Sequence, residues 1–194
     1  GLANPDSGKA ANSTAVNATS SIQSPEIVSY SLSLKESLRE VVRALDDKKQ
    51  RLRHTPSILP VKGKDVWLAC DFGRRKNPFT DRREFHTGLD VAGGYKTPLV
   101  APAAGKVYQT KKTRILGKSV RIRHREDMRT TYGHLHSIAV EEGERVERGD
   151  VIGYMGNSGR STGTHVHYEV VKQGEAVDPW NYILDRQNET LSLR

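Results

Sequence analysis

Two short runs of this chain carry residue types that bind metal ions, and the second is the more telling. Between Gly163 and Val170, His165 and His167 are separated by a single valine, and the β-branched and aromatic residues that follow are typical of a strand. Residues i and i+2 of a strand project from the same face, so both imidazoles should point to one side and Val166 to the other. Taken alone, a His-x-His pattern more often marks an ordinary exposed strand than a metal site.

The first run, His86 to Asp90, places an imidazole and a carboxylate four residues apart. An extended backbone would put both on one face, and Gly88 between them would permit a close approach. Imidazole nitrogen and carboxylate oxygen are ligand types that Zn²⁺ accepts, and a catalytic zinc site usually has three protein ligands and one water. We therefore predict one zinc site built from both runs. Its ligands are His86, Asp90 and one histidine of the pair, which leaves the other histidine to act as an acid or base.

The composition indicates one core domain with polar appendages. The chain has 194 residues, of which 35% are hydrophobic, and this favours a single packed domain plus unpacked polar sequence. Residues 1–25 are rich in Ala, Asn, Ser and Thr without apolar periodicity, which predicts a disordered arm or linker, and residues 185–194 are assigned to a C-terminal tail. The single cysteine, Cys70, lies in an apolar run and is expected to behave as a small buried hydrophobe.

The net charge of +8 indicates attraction to polyanions such as nucleic acid, anionic lipid or an acidic cell-wall polymer. The sequence contains neither an aromatic-rich recognition motif nor a basic helix followed by a zipper, so we do not expect nucleic acid as a partner. No run approaches the roughly 20 apolar residues of a membrane span, and no apolar signal core opens the sequence. An export signal or anchor is therefore not visible in this stretch.

An amphipathic helix is predicted over residues 26–55. Its apolar residues are spaced mostly by threes and fours, with the positions Leu34, Leu38, Val41, Val42, Leu45 and Leu52. Ser33 and Glu36 have the form of a capping box, and Pro56 supplies a stop. Written in heptads, the apolar seam is interrupted by Lys48. The helix is therefore either the end of a coiled coil that joins two chains or a helix packed on the following domain.

From residue 56 onward the pattern changes to short strands separated by Gly, Asp and Pro turns, which predicts a mainly β domain over residues 56–184. The predicted strands are Val66–Cys70, Leu99–Val100, Gly105–Thr110, Ser119–His124, Arg129–Tyr132, Ile138–Val140, Val151–Tyr154 and His165–Val171. The basic segment Phe72–Thr80 is predicted to be a loop bordering the site. His54 and His124 are expected to be surface histidines.

Six segments of this region occur together and in a fixed order: Asp71–Arg74, Phe85–Asp90, Ala101–Val107, Tyr132–Leu135, Gly143–Gly149 and Gly153–Tyr168. Through them the chain resembles the LytM/lysostaphin type of zinc metallopeptidase, secreted or periplasmic enzymes that cut peptide bonds in bacterial peptidoglycan. The resemblance implies a two-layer antiparallel β-sandwich of the duplicated-hybrid-motif type, with the metal in a groove. It does not extend to the N-terminal helix.

The resemblance also implies residue roles. The zinc ligands of the family correspond here to His86, Asp90 and His167, which would hold one Zn²⁺ per chain, and its catalytic residues correspond to His134 and His165. The implied function is a zinc metallo-endopeptidase that hydrolyses peptide cross-links or stem peptides of peptidoglycan through a zinc-activated water, at an extracytoplasmic location. Peptidoglycan peptide is the expected substrate. Association with the cell envelope and self-association through the helix are the further partner expectations.

Two other classes match parts of the sequence. A non-catalytic LytM-like module that activates a separate cell-wall hydrolase would share the fold, but such modules have lost metal ligands and this sequence retains all of them. A biotinyl or lipoyl carrier domain would account for Ala101–Val107 and Gly143–Gly153, but the modifiable lysine turn expected between such halves is missing. The endopeptidase is therefore the prediction, with the bond cleaved and the division of roles between His134 and His165 left open.

Overall fold

One helix and a series of antiparallel strands make up the structure, a computed structural model that describes residues 24–63, 65–77 and 80–184. The chain divides between Asp46 and Asp47 into two units, each compact in itself. The predicted disordered arm lies outside the described residues apart from Ser24 and Pro25, and the predicted tail lies outside them entirely. Within the described ranges, no helix is both long and apolar enough to cross a membrane.

The helix α1 spans Pro25–His54 and therefore begins well before the predicted capping box. Its first amides donate to the carbonyl oxygen of Ser24 at 3.0 and 3.2 Å, so Ser33 lies inside the helix and does not cap it. Proline suits the first helical position because its missing N–H would have no partner there. The predicted end is confirmed, since Thr55 closes the last turn with two hydrogen bonds to the carbonyl of Arg51, from its amide at 2.9 Å and its hydroxyl at 2.8 Å.

The apolar residues of α1 lie at the surface. None of its residues is buried, and the side chains of Leu34, Leu38, Val41 and Leu45 are each more than half exposed. A lone helix that exposes such a stripe is marginal in water. The last turn, which belongs to the second unit, is anchored: Ala104 donates its amide to the carbonyl of Arg53 at 2.8 Å, and the Arg53 guanidinium lies 2.7 Å from a carboxylate oxygen of Glu147.

We expect the stripe to join two chains, so a variant that begins at Asp47 should be monomeric. Because it keeps the anchored last turn, it should also stay folded and retain full activity per site. Light scattering of the full chain and of this variant measures the change. Leu38→Asp in the full chain should also give monomers, whereas Ser37→Asp on the neighbouring helical position should not. A full chain that is already monomeric would contradict the expectation.

The strands form one large sheet, one small sheet and one hairpin, with antiparallel pairing throughout the described residues. They are β1 Val66–Cys70, β2 Gly73–Lys76, β3 Arg83–His86, β4 Leu89–Gly93, β5 Pro98–Val100, β6 Gly105–Thr113, β7 Gly117–Arg123, β8 Met128–Leu135, β9 Ser137–Ile138, β10 Arg145–Val146, β11 Val151–Tyr154, β12 His165–Lys172 and β13 Glu175–Val177. The large sheet has the order β1-β4-β12-β8-β7-β6-β10, with β13 also paired to β12. The small sheet has the order β5-β11-β9, and β2 pairs with β3. The predicted mainly β fold is confirmed.

All eight predicted strands are present, Val66–Cys70 and Val151–Tyr154 with the predicted ends and the other six with shifted ends, but five strands were missed. The predicted loop Phe72–Thr80 was wrong, because β2 occupies Gly73–Lys76 and pairs with β3. This hairpin lacks an apolar face, so it shows no alternation of apolar and polar residues. Its register instead sets Arg75 opposite Glu84, an opposite-charge pair of the kind that stabilises neighbouring strands.

The hydrophobic core fixes which face of β12 is available for chemistry. Val166 and Tyr168 are fully buried, and the ring of Tyr168 lies 5.6 Å from that of Tyr132 in the core. Burying a large apolar side chain is worth about 1.5–3 kcal/mol. Turning the strand over would forfeit this for both residues. His165 and His167 must therefore point to the opposite face, as their spacing predicts.

His124 is buried, and the expectation that it is a surface histidine was wrong. Its side chain is only 7% exposed, with Nδ1 2.9 Å from the carbonyl oxygen of Ala104 and Nε2 2.8 Å from the hydroxyl of Thr130. A carbonyl only accepts, so Nδ1 carries the hydrogen, and the neutral ring has a partner at each nitrogen. Burial lowers the pKa of His124 to about 4, although the bond to Ala104 opposes the change.

This lowered pKa predicts a specific loss of stability in acid. Above the unfolded pKa of about 6.5 the ring is neutral in both states, so it does not lower the free energy of unfolding. As the pH falls toward 4, the ring binds a proton in the unfolded chain but stays largely neutral in the folded chain, which favours unfolding. His124 should therefore remove about 3 kcal/mol of unfolding free energy between pH 7 and pH 4. His124→Asn, whose amide can still donate to Ala104, should flatten the pH dependence measured by urea unfolding. Curves for the two proteins that fall in parallel would contradict this assignment.

Candidate metal centre

The pairing of β4 with β12 brings Asp90 directly opposite His167. Nδ1 of His167 lies 3.0 Å from Oδ1 of Asp90, and Nε2 of His165 lies 3.8 Å from the same oxygen. The predicted placement of both histidines on one face of a strand is confirmed. Two imidazoles of the neighbouring strand thus lie close to the same carboxylate oxygen.

His86 reaches the same oxygen by a different route from the one expected. It does not share an extended strand with Asp90, because β3 ends at His86 and the chain turns before β4 begins. Nε2 of His86 nevertheless lies 3.1 Å from Oδ1 of Asp90. Gly88 permits a close approach to β12: a Cβ there would collide with the carbonyl oxygen of Tyr168 and lie 3.0 Å from Cε1 of His167. The close approach predicted for this glycine is present.

Three donor atoms therefore form a nearly equilateral triangle. Nε2 of His86, Oδ1 of Asp90 and Nδ1 of His167 are separated by 3.1, 3.0 and 3.1 Å, and the three residues are only 4%, 8% and 9% exposed. Tetrahedral zinc with bonds of about 2.0–2.1 Å to such donors holds them about 3.3 Å apart. The triangle fits a zinc ion with little adjustment.

The protonation states indicate a cation site. His86 Nδ1 lies 2.7 Å from the carbonyl oxygen of Asp71, so in the neutral ring this nitrogen carries the hydrogen and Nε2 presents a lone pair to the other two donor atoms. Burial alone would raise the pKa of Asp90, but the imidazoles of His167 and His86 beside its Oδ1 outweigh this effect and hold the pKa well below the usual range. A single cation satisfies all three atoms, whereas one shared hydrogen cannot.

Cys70 lies beside this centre, half-buried, and not within the core as expected. It stands opposite Asp90 on β1, and the ligand atoms of Cys70, His86 and Asp90 lie within 4.8 Å of one another. Its thiol is 3.7 Å from the carbonyl oxygen of Asp71. Because the spacing to His167 is the one that a shared ion requires, we take His167 and not Cys70 as the third ligand.

His134 and His165 adjoin the triangle, with ring centroids 4.6 Å apart. Nδ1 of His134 lies 2.8 Å from the carbonyl of Ser158, and Nδ1 of His165 lies 2.9 Å from the carbonyl of Gly163. These carbonyls place the hydrogens on Nδ1, so both rings keep a lone pair on Nε2. Burial lowers the pKa of His134 to about 4, against the hydrogen bond to Ser158. His134 also has a φ of +64°, a strained conformation often found at functional sites.

Arg75 is a site residue that the sequence prediction missed. Its Nη1 lies 3.0 Å from Oδ2 of Asp90, and its Nε lies 3.1 Å from a carboxylate oxygen of Glu84. All three line an open groove, together with Leu116 and Arg160, and the donor triangle lies in this groove. The sequence signal that could have identified it is a basic run, Arg74 to Lys76, followed after a short interval by the acidic Glu84. This pattern is typical of a hairpin with oppositely charged strands.

Comparison with known proteins places this site in a family. The sequence profile described as Peptidase family M23 matches residues 84–179. The DD-carboxypeptidase/endopeptidase Mpg of Neisseria meningitidis serogroup B is 38% identical over 112 residues, which are 58% of this chain and 26% of that protein. The peptidoglycan DD-endopeptidase ShyA of Vibrio cholerae is 40% identical over 105 residues, 54% of this chain and 24% of the relative. The chain thus spans about a quarter of the length of these curated relatives.

Solved structures agree with the sequence comparison. The catalytic domain of the prophage-encoded M23 protein EnpA from Enterococcus faecalis is 34% identical with a TM-score of 0.56, and the match covers 64% of this chain and 97% of that one. A zinc containing peptidase from Vibrio cholerae is 33% identical with a TM-score of 0.59, over 66% of this chain and 39% of that chain. The chain belongs to peptidase family M23.

The donor triangle predicts how single substitutions change metal content. Protein purified without chelator should contain about one zinc per chain by elemental analysis, and Asp90→Ala or His167→Ala should remove most of it. His165→Ala should keep the metal, as should His136→Ala, the matched control for a histidine outside the triangle. If His165→Ala lost zinc and His167→Ala retained it, the roles of the pair would be reversed.

Proposed function

We propose that this chain is a zinc metallo-endopeptidase that hydrolyses peptide bonds of bacterial peptidoglycan. The observation that carries the proposal is the buried triangle of His86, Asp90 and His167 at an open groove, with two further imidazoles beside it. The names of the related DD-endopeptidases support peptidoglycan as the substrate. The substrate in turn requires an extracytoplasmic location, which we propose with it.

In this proposal His86, Asp90 and His167 hold the metal ion. When bound, zinc supplies a Lewis acid that polarises the scissile carbonyl and lowers the pKa of a water molecule. The carboxylate of Asp90 is ionised, so the site can take up a cation without a proton being displaced from that side chain. The lone pair of His86 is directed by its hydrogen bond to Asp71.

His134 and His165 are the proposed catalytic residues. Each is locked through Nδ1 to a backbone carbonyl, so each offers Nε2 as a proton acceptor in the groove. The lowered pKa of His134, about 4, keeps that ring neutral at pH 7, so its Nε2 carries no proton. A ring that has taken a proton from the attacking water becomes a donor. It can then stabilise the oxyanion or protonate the leaving amine.

The groove suits an extended peptide. One side is the β2–β3 hairpin, represented by Phe85, and another is formed by Ile115 and Leu116, with Ser161 and Thr162 on the loop before β12. The chain carries a net charge of +8, which would hold it near an anionic cell wall and raise its local concentration. These features support a polymeric, negatively charged substrate.

A binding module without activity is the alternative, and one solved relative comes from a complex of two proteins. A chain from the crystal structure of the SpoIIIAH and SpoIIQ complex is 27% identical with a TM-score of 0.58, and the match covers 64% of this chain and 98% of that one. The complete donor triangle favours the enzyme, because a module that only binds a partner has no need of three converging metal-binding side chains. Direct digestion separates the two functions.

The test is to digest purified sacculi with direct 4-3 cross-links and identify the products by mass spectrometry. The proposal predicts conversion of cross-linked muropeptide dimers to monomers, abolished by a chelator and restored by zinc. Sacculi with glycine bridges, digested in parallel, identify which cross-link is cleaved. A protein that holds one zinc per chain yet leaves both kinds of sacculi intact would overturn the enzymatic proposal in favour of the binding module.

Replacing either catalytic histidine should lower turnover while zinc remains bound. For His134→Ala and His165→Ala we expect losses of roughly a hundredfold or more, the usual scale for acid–base or oxyanion groups. His136→Ala, which removes a neighbouring half-buried histidine, should stay within about twofold. Steady-state rates on sacculi are measured beside zinc content. Activity that survives both substitutions would exclude these two rings from the reaction.

A further inference from the structure

Arg75 makes two ion pairs in the groove, one to each of two different elements. Its side chain is 26% exposed, with Nη1 3.0 Å from Oδ2 of Asp90 on β4 and Nε 3.1 Å from Oε1 of Glu84 on β3. The neighbouring Arg74 is exposed. The alternation of strand β2 therefore turns one arginine toward the metal centre and leaves the other in solvent.

Because Arg75 binds one of them, the two oxygens of the Asp90 carboxylate have different partners. Oδ1 faces His86 and His167 at 3.1 and 3.0 Å, while Oδ2 is held by the guanidinium at 3.0 Å. Rotation of the carboxylate about its Cβ–Cγ bond would break the contacts of both oxygens at once. Only Oδ1 is therefore presented to the donor triangle.

Glu84 holds the guanidinium in this position. It lies directly across the hairpin from Arg75, and its second carboxylate oxygen accepts a hydrogen bond from the side chain of Asn77. The planar guanidinium can contact Glu84 through Nε and Asp90 through Nη1 at the same time. A lysine ammonium, a single point on a flexible stem, cannot reproduce both contacts in that geometry.

We infer that Arg75 is a positioning residue of the metal centre, which restrains Asp90 so that a divalent metal ion is bound through Oδ1 alone. The inference rests on the proposed function, because it concerns the same metal. Without the guanidinium, Oδ2 can turn toward the metal and take a position that the reaction leaves open for water. Arg75 thus sets both the affinity for the metal and the number of its protein ligand atoms.

The direction in which Arg75→Gln changes zinc affinity distinguishes a positioning role from an effect of charge alone. A positive charge near a metal site repels a divalent cation, so if Arg75 acted only through its charge, Arg75→Gln would tighten zinc binding. Positioning predicts the opposite: zinc affinity should fall 10- to 100-fold, the usual effect of losing a residue that orients a ligand. Arg74→Gln removes the same charge from the same strand and should change the affinity less than about twofold.

The experiment measures zinc affinity of the metal-free full chain by competition with a chromophoric chelator, with thermal unfolding of each metal-free variant as the control for folding. Arg75→Lys keeps the charge, so charge alone would leave the affinity unchanged, whereas positioning predicts a lower affinity. This variant serves if Arg75→Gln does not fold. The cobalt-loaded Arg75→Gln protein should also lose visible absorption, since cobalt(II) absorbs weakly when its coordination number rises.

Equal affinities of Arg75→Gln and Arg74→Gln, or tighter binding in the former, would overturn the inference. Failure of the proposed function would be seen separately, because the unsubstituted chain would then bind no zinc, whatever the variants do. A chain that binds zinc and cleaves sacculi, with Arg75→Gln unchanged in both affinity and cobalt spectrum, would leave the enzyme in place and remove Arg75 from its metal centre.

Discussion

The carboxylate of Asp90 is the group on which the arrangement of the site depends. It lies on β4, between β1 and β12 in the large sheet, and its side chain is 12% exposed. An unpaired charge so placed would cost several kcal/mol. Arg75 on β2 pairs with one oxygen of this charge, and His86 at the end of β3 and His167 on β12 approach the other oxygen. Side chains from three other strands thus converge on one buried carboxylate. The metal ion proposed there would complete the neutralisation of its charge.

Burial alone does not make a histidine functional, as two residues of this protein illustrate. His124 and His134 both have a pKa lowered to about 4 by burial, and both are held through Nδ1 by a backbone carbonyl. The difference lies at Nε2: in His124 this nitrogen is hydrogen-bonded to Thr130, so both ring nitrogens have partners and the ring has a structural role. His134 instead lines the groove next to His165, where its second nitrogen can serve the proposed reaction.

The sequence predicted the parts of the site that strand alternation governs. His165 and His167 on one face follow from the period of two, and the core residues Val166 and Tyr168 enforce it. What it could not predict was the route by which His86 reaches Asp90, since that depends on a turn between two strands. Arg75 was missed for a related reason: a charged hairpin has no apolar alternation, and its pairing with Glu84 appears only once the register is known.

The measurement that tests the central claim most directly is X-ray absorption at the zinc edge of the metal-loaded chain. Ligation by His86, Asp90 and His167 predicts a first shell of nitrogen and oxygen only, at about 2.0–2.1 Å, with the outer-shell scattering of two imidazoles. Cys70 lies close enough to offer the alternative, since its ligand atom is within 4.8 Å of those of His86 and Asp90. A sulfur scatterer at about 2.3 Å would contradict the proposed ligand set.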